Sequence, residues 1–315
     1  MTPSAVWSGR RHRVARLRAE HPHAGELLAF YDDVLSLQEP LYSRALKSRW
    51  LGTVEAADGR LPRLRLERLP RRPRERDFSR FVRAVPASAP EVLRAMAQRL
   101  ASESSARAEL LSAVLERRSI DAVAARLDCD AAALEFFPRA FVQPIAEALA
   151  KQLPRVSAQD GDRNGAGVAR RFSSSPEGQD GGDGRAADAA GESVERAACP
   201  CCGAAPVAAV LRDEPEIKGR RTLLCSICLA EWTFPRTRCP ACEEERAEKR
   251  PHHVSESWPH IRLEECGSCR TYLKAVDLRE NGLALPVVDE LASVELDLWA
   301  VEQGLSKLRT NLLGM

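Results

Sequence analysis

Cys199-Pro-Cys-Cys202 and Cys225-Ser-Ile-Cys228, followed by Cys239-Pro-Ala-Cys242 and Cys266-Gly-Ser-Cys269, decide how this chain folds. Eight of the ten cysteines lie in these four Cys-x-x-Cys pairs, with 22 residues between the first two pairs and 23 between the last two. The first and third pairs both open as Cys-Pro-x-Cys. Arg221-Thr-Leu-Leu leads into Cys225 much as Arg262-Leu-Glu-Glu leads into Cys266. This is the signature of an internal duplication. A Cys-x-x-Cys turn sets two thiolates along one edge of a tetrahedron, and a second turn roughly 15 to 25 residues away completes it around one ion. The equal gaps assign Cys199, Cys202, Cys225 and Cys228 to one metal and Cys239, Cys242, Cys266 and Cys269 to another. An interleaved pairing, first turn with third, is the alternative.

Disulfides are the competing use of such cysteines, and a reducing compartment disfavours them. Four thiolates accept zinc or a single iron almost equally well, so the residues alone leave the metal open. Gly203 after the first turn allows a bend that aims backbone N–H groups at sulfur. Leu229, Glu243 and Arg270 occupy the same place after the other turns and weaken that inference. Cys129 is expected to be a buried or incidental thiol, Cys201 to point away from the ligands on either side of it, with a ligand swap as the alternative, His252, His253 and His260 to be solvated, and Trp232 and Trp258 to cover the turns. No Gly-rich phosphate loop follows a strand, and no nucleophile–base arrangement stands out, so no active site is expected.

Outward from the cysteines the pattern changes. Short β-type runs, Pro206 to Leu211, Leu229 to Phe234 and Tyr272 to Leu278, separate the turns, and small sheets of this kind need a staple. Leu291, Val294, Leu298, Val301 and Leu305 recur at helical spacing and predict a closing helix that buries this stripe. Residues 156–198 carry Gln159-Asp-Gly-Asp and Gln179-Asp-Gly-Gly-Asp-Gly with almost nothing large and apolar, which predicts a flexible linker. Ahead of it, helical stripes recur at Leu27, Tyr31, Val34 and Leu35, at Val92, Leu93, Met96 and Leu100, at Leu110, Leu111, Val114 and Leu115, and from Leu134 to Leu149. Pro22, Pro40, Pro138 and Pro144 are expected to end or kink helices. Arg60 to Arg76, with eight arginines and three prolines, suggests an extended basic loop. The expected fold is therefore α+β: a helical domain at 1–155, the linker at 156–198, metal modules at 199–236 and 237–285, and a C-terminal helix at 286–315.

A length of 315 residues asks for more than one folded unit. Aromatics at 5% leave Leu, Val and Ala to build the core. The formal charge is +2 overall, and it divides into +7 over 1–153, −2 over 154–198 and −3 over 199–315. No run approaches the roughly 20 apolar residues of a spanning helix. Arg10 and Arg11 stand side by side without an apolar stretch after them, so a secretory or twin-arginine signal is not expected and a cytoplasmic location is.

The order Cys-Pro-x-Cys-Gly, Cys225-Ser-x-Cys-x-x-Glu-Trp232, Arg236-x-x-Cys-x-x-Cys-Glu243 and Cys266-Gly-Ser-Cys-Arg-Thr-Tyr-Leu-Lys274, followed by Asp289-Glu-Leu-Ala-Ser, resembles the formate dehydrogenase accessory protein family, FdhE. The N-terminal Arg10-Arg-His-Arg-Val-Ala-Arg-Leu-Arg18 is similar too. The long linker and Cys201 depart from the pattern. The resemblance implies a helical domain joined to two rubredoxin-like modules, each holding one metal, with iron favoured and zinc possible. It also implies a non-enzymatic cytoplasmic protein that binds the catalytic subunit of formate dehydrogenase before export, with self-association left open. Two other classes compete. A zinc-ribbon nucleic-acid binder should be basic where its ribbons lie, yet 199–315 is acidic; a rubredoxin-like electron carrier would need exposed iron. Metal loss is expected to unfold residues 199–285 and spare the helices.

Overall fold

The computed structural model describes residues 3–48, 64–153 and 197–315. The expected linker lies outside the described residues save for its last two positions, as does the start of the Arg60 to Arg76 segment. The N-terminal half is helical: α1 (Pro3–Glu20) and α2 (Gly25–Lys47) are followed by α3 (Arg71–Arg83), α4 (Glu91–Ser102), α5 (Ser104–Leu115), α6 (Asp121–Arg126), α7 (Ala131–Leu134) and α8 (Phe136–Ala150). Helix α8 is buried along nearly its whole length and packs on α2.

Two local expectations change, and that for the prolines narrows to kinks. Arg71 to Arg76 is not extended but opens α3, because Phe78, Phe81 and Val82 form one apolar face while the arginines keep the other in water. Pro40 and Pro144 sit inside α2 and α8 rather than ending them. A proline inside a helix costs about 3 kcal/mol, and the surrounding burial of Phe141, Ile145 and Leu149 offsets it. The closing stripe is also different. The segment divides into α9 (Pro286–Ala292) and α10 (Val294–Glu302), broken at the buried Ser293. Leu291, Leu296 and Ala300 face the core, whereas Leu298 is 54% and Val301 66% exposed.

The C-terminal half builds one sheet. Its strands are β1 (Pro206–Arg212), β2 (Arg220–Cys225), β3 (Glu231–Thr233), β4 (His252–Ser255), β5 (Trp258–Glu265) and β6 (Thr271–Asp277), in the order β3-β2-β1-β6-β5-β4. A short β7 (Ser306–Lys307) pairs with β6 at Thr271 and Tyr272. Each repeat contributes three antiparallel strands, and the repeats join through the parallel pair β1–β6, with Ala209 opposite Ala275 and Val210 opposite Val276. The duplicated units thus stand side by side in the same orientation, head to tail, within a continuous sheet.

The sheet does not stand apart from the helices. One apolar cluster runs from Trp7 and Phe141 through Cys199 and Cys225 to Trp258, Val288 and Leu312. Polar contacts at the seam are buried as well. Arg13 of α1 clasps Asp289 of α9, whose carboxylate also meets His260 of β5 at 2.8 Å and accepts the backbone N–H of Leu285 at 2.8 Å. Gln143 of α8 donates to the Ser226 carbonyl at 3.2 Å, and Leu64 N–H to the Cys201 carbonyl at 2.8 Å. His260 is therefore a buried structural partner and not the solvated side chain expected. Trp258, fully buried, stacks on His21 with ring centroids 3.8 Å apart, so it seals the seam.

Candidate metal centres

All eight cysteines of the four pairs come together as the equal gaps suggest. Cys199, Cys202, Cys225 and Cys228 form one group and Cys239, Cys242, Cys266 and Cys269 the other, each with its sulfurs within 4.8 Å of one another. The cross-turn distances are 3.6 Å for Cys199–Cys228, 3.4 Å for Cys202–Cys225, 3.9 Å for Cys239–Cys269 and 3.6 Å for Cys242–Cys266. A disulfide would bring sulfurs to about 2.05 Å. A tetrahedron with metal–sulfur arms of about 2.3 Å has edges of about 3.8 Å. The donor sets fit a four-thiolate ion, and each could hold one.

The four turns share one backbone. The first cysteine of each donates its N–H to the carbonyl five residues on: Cys199 to Ala204, Cys225 to Ala230, Cys239 to Glu244 and Cys266 to Thr271, all at 2.9 to 3.0 Å. The residue after the second cysteine is left-handed in every case, with φ +72° at Gly203, +53° at Leu229, +60° at Glu243 and +57° at Arg270. The turn, not the glycine, dictates this conformation. Three ordinary side chains accept a strain of about 1 to 2 kcal/mol each. The regular fifth-residue bond and the closure of the cluster hold them there. Amide groups then aim at sulfur: Ile227 and Cys228 N–H lie 3.4 Å from Cys225 Sγ, and Ala241 N–H lies 3.4 Å from Cys239 Sγ. Such bonds favour thiolate and tune a bound ion.

Four crowded sulfurs cannot all ionise without a cation. In the first group the neighbouring thiols Cys201, Cys202, Cys225 and Cys228 all hold Cys199 down, while burial and the Cys199 thiolate push Cys225 up. Cys228 rises as well, because it faces Cys199. In the second group burial pushes Cys266 up, but N–H bonds from Cys269 and Ser268 outweigh it and bring the thiol to about 7. Cys242 rises, chiefly through burial. A divalent ion removes this competition by stabilising every thiolate at once.

The remaining candidates fall into place. Cys201 is buried beside Cys199 and Cys228 but is not among the four grouped ligands. Cys129 is half-buried, with its thiol 3.2 Å from the Leu127 carbonyl. His253 meets Glu265 at 2.9 Å, and none of the three histidines joins a sulfur group. Trp232, half-buried, packs against two apolar clusters.

A helical base bearing a tandem four-thiolate sheet defines a class of two-centre, rubredoxin-like proteins. Residues 198–236 match the family model described as FdhE, central domain, and residues 237–313 that described as FdhE, C-terminal domain. A protein FdhE homolog of Aquifex aeolicus is 39% identical over 116 residues, 37% of this chain and 41% of that protein. A second, from Stutzerimonas stutzeri, is 36% identical over 126 residues, 39% of this chain and 40% of that one. The chain thus spans about two fifths of the length of these relatives. The crystal structure of the FdhE protein from Pseudomonas aeruginosa has the same fold. It superposes with a TM-score of 0.64 over 99% of this chain and 96% of that one, at 24% identity.

Proposed function

We propose that this protein is a cytoplasmic accessory factor for formate dehydrogenase, which binds the immature catalytic subunit before export and catalyses no reaction of its own on a small molecule. The observation that carries the reading is the match of both cysteine modules, in order, to the two FdhE domains. In this reading Cys199, Cys202, Cys225 and Cys228 hold one ion and Cys239, Cys242, Cys266 and Cys269 the other, with iron preferred to zinc on family grounds. Residues 1–155 act as the base, 199–236 and 237–285 as the metal modules, and 286–315 as the closing segment. The ions supply rigidity, so that the loops around each turn present a fixed surface. Among the described residues no helix is long and apolar enough to cross a membrane, which suits a factor that meets its client away from the bilayer.

The test is a pull-down of the catalytic subunit by the intact chain and by the Cys239→Ser, Cys242→Ser variant, with formate oxidation measured in cells that lack the protein. We expect capture by the intact chain, loss of capture by the variant and loss of most formate oxidation in the deleted cells. Full formate oxidation without the protein would overturn the reading. Metal analysis and the visible spectrum of protein made without oxygen separate iron from zinc.

A further inference from the structure

The sheet face turned away from the helices carries a cavity of about 140 Å³ lined by Leu211, Arg221, Arg236, Arg250, His252, Arg262 and Glu264. The duplication built it. Arg221 stands four residues before Cys225 and Arg262 four before Cys266, so the same position in each repeat sends a guanidinium to the same face. The head-to-tail joining of the repeats then brings both into one hollow.

A census of charge shows what the hollow lacks. Arg221, almost wholly buried, is matched by Glu264, with Nη2 at 2.5 Å. Arg262 and Arg279 are matched by the fully buried Asp277, at 2.8 and 2.6 Å. Arg236 and Arg250 have no carboxylate partner among the described residues, and Arg250 Nε is buried with no hydrogen-bond acceptor. At Gly219 (φ +59°) a Cβ would stand 2.7 Å from Arg236 Nη1 and 2.8 Å from Arg279 Nη1, so a bare glycine leaves room for these like charges to crowd together. Arg236 thus crowds Arg279, whose charge Asp277 already matches, while Arg250 lines the same cavity with an orphaned Nε, and this unmatched positive charge calls for an anion. Two unmatched guanidiniums match a dianion, and their planar forks suit an oxyanion with three or more oxygens better than a carboxylate with two.

We propose that this cavity is a binding site for a phosphate dianion, free or as a monoester, held chiefly by Arg236 and Arg250 with Arg262 at its wall. His252 at the rim can add a donor. The site is independent of the client reading above, because it stands on the charge census of the sheet face.

Calorimetric titration of the full-length, metal-loaded protein with inorganic phosphate, adenosine 5′-monophosphate, formate and acetate tests the proposal. Phosphate binding at one site is expected, with formate and acetate at least tenfold weaker. Arg236→Gln with Arg250→Gln should weaken phosphate at least tenfold, while Arg238→Gln, outside the cavity, leaves it unchanged. Because neither replaced arginine belongs to an ion pair, the fold should persist, as metal content and circular dichroism will show. A charge-reversing Arg236→Glu should abolish binding if the double variant misfolds. Tighter binding of the nucleotide assigns an ester, and tighter binding of phosphate assigns the free ion. No phosphate binding, undiminished binding in the variants, or acetate binding as tightly as phosphate would overturn the site.

Discussion

The two cysteine groups share spacing, turn backbone and sulfur geometry, yet they live in different surroundings. All four cysteines of the first are buried, whereas in the second Cys242 is exposed and Cys269 half-buried. Cys199, Cys202, Cys225 and Cys228 belong to the same apolar cluster as Trp7, Leu28 and Phe141, so helices roof the first centre. The second is fenced by polar contacts: Glu244 with Arg246 and Ser268, Glu265 with His253 and Arg270. One ligand set can therefore be a keystone in one repeat and a clasp in the other. What separates them is the neighbouring core, not the chemistry of the thiolates.

The widest gap between the two should appear on ligand removal. A structural four-thiolate ion contributes an apparent 10 to 16 kcal/mol, of the order of a whole domain's net stability of about 5 to 15 kcal/mol. Cys225→Ser with Cys228→Ser should therefore collapse the shared core, α8 included, and yield a protease-sensitive chain with lost helical signal. Cys239→Ser with Cys242→Ser should open only the second repeat and leave the first ion in place. This replaces the expectation that metal loss spares all helices, which treated the halves as separate. Limited proteolysis with metal counting decides it; equal damage from the two variants would erase the distinction. A chelator in reducing buffer should likewise strip the second ion first.

The four Cys-x-x-Cys pairs, their grouping and the helical stripes were legible because spacing alone carries them. Other features depend on tertiary contact. The Arg71 to Arg76 run looked like a loop because prolines and charge outvoted the Phe78, Phe81 and Val82 face that follows. His260 looked solvated because its partner Asp289 lies 29 residues away. The left-handed residue after each turn could have been inferred at Leu229, Glu243 and Arg270 by treating Gly203 as a position rather than a residue type. The arginine cavity was half visible: Arg221 and Arg262 were paired by the duplication, but only the strand order brings Arg250 and Arg236 to them.

A second contrast sets the buried seam against the surface around the second centre. Asp289→Ala strands Arg13 and frees His260 and the Leu285 N–H, and breaking a buried pair on one side costs about 3 to 5 kcal/mol. Glu245→Gln, whose side chain is 55% exposed and pairs with Arg238 at 2.7 Å beside the second centre, should cost under about 1 kcal/mol. Urea midpoints at pH 7 measure both. Burial pushes the Asp289 carboxyl up, but His260 and Arg13 outweigh it and hold it below the usual range. A carboxyl depressed in the fold contributes fully above its unfolded value of about 3.9, and the contribution fades as pH falls through the lower folded value. The cost of Asp289→Ala should therefore be the same at pH 6 and pH 8. A cost that changed across that interval would mean that the Asp289 carboxyl is not held below the usual range in the fold.

The smallest test uses the left-handed position itself. Gly203 and Arg270 hold the same conformation after equivalent turns, but a Cβ at Gly203 would stand 2.5 to 2.9 Å from the Arg117 guanidinium at the end of α5. The Arg270 side chain instead pairs with Glu265 at 2.8 Å and reaches the Gln303 carbonyl at the surface. Gly203→Ala should therefore cost more than the about 1 to 2 kcal/mol of left-handed strain alone, because Arg117 must also move. Arg270→Gly relieves that strain and loses one exposed ion pair, leaving a net change within about 1 kcal/mol. Adding Arg117→Ala should return the Gly203→Ala cost to the strain component. If it does not, the helical base is not what demands glycine at the first centre, and the difference between the two centres must be sought in the turns themselves.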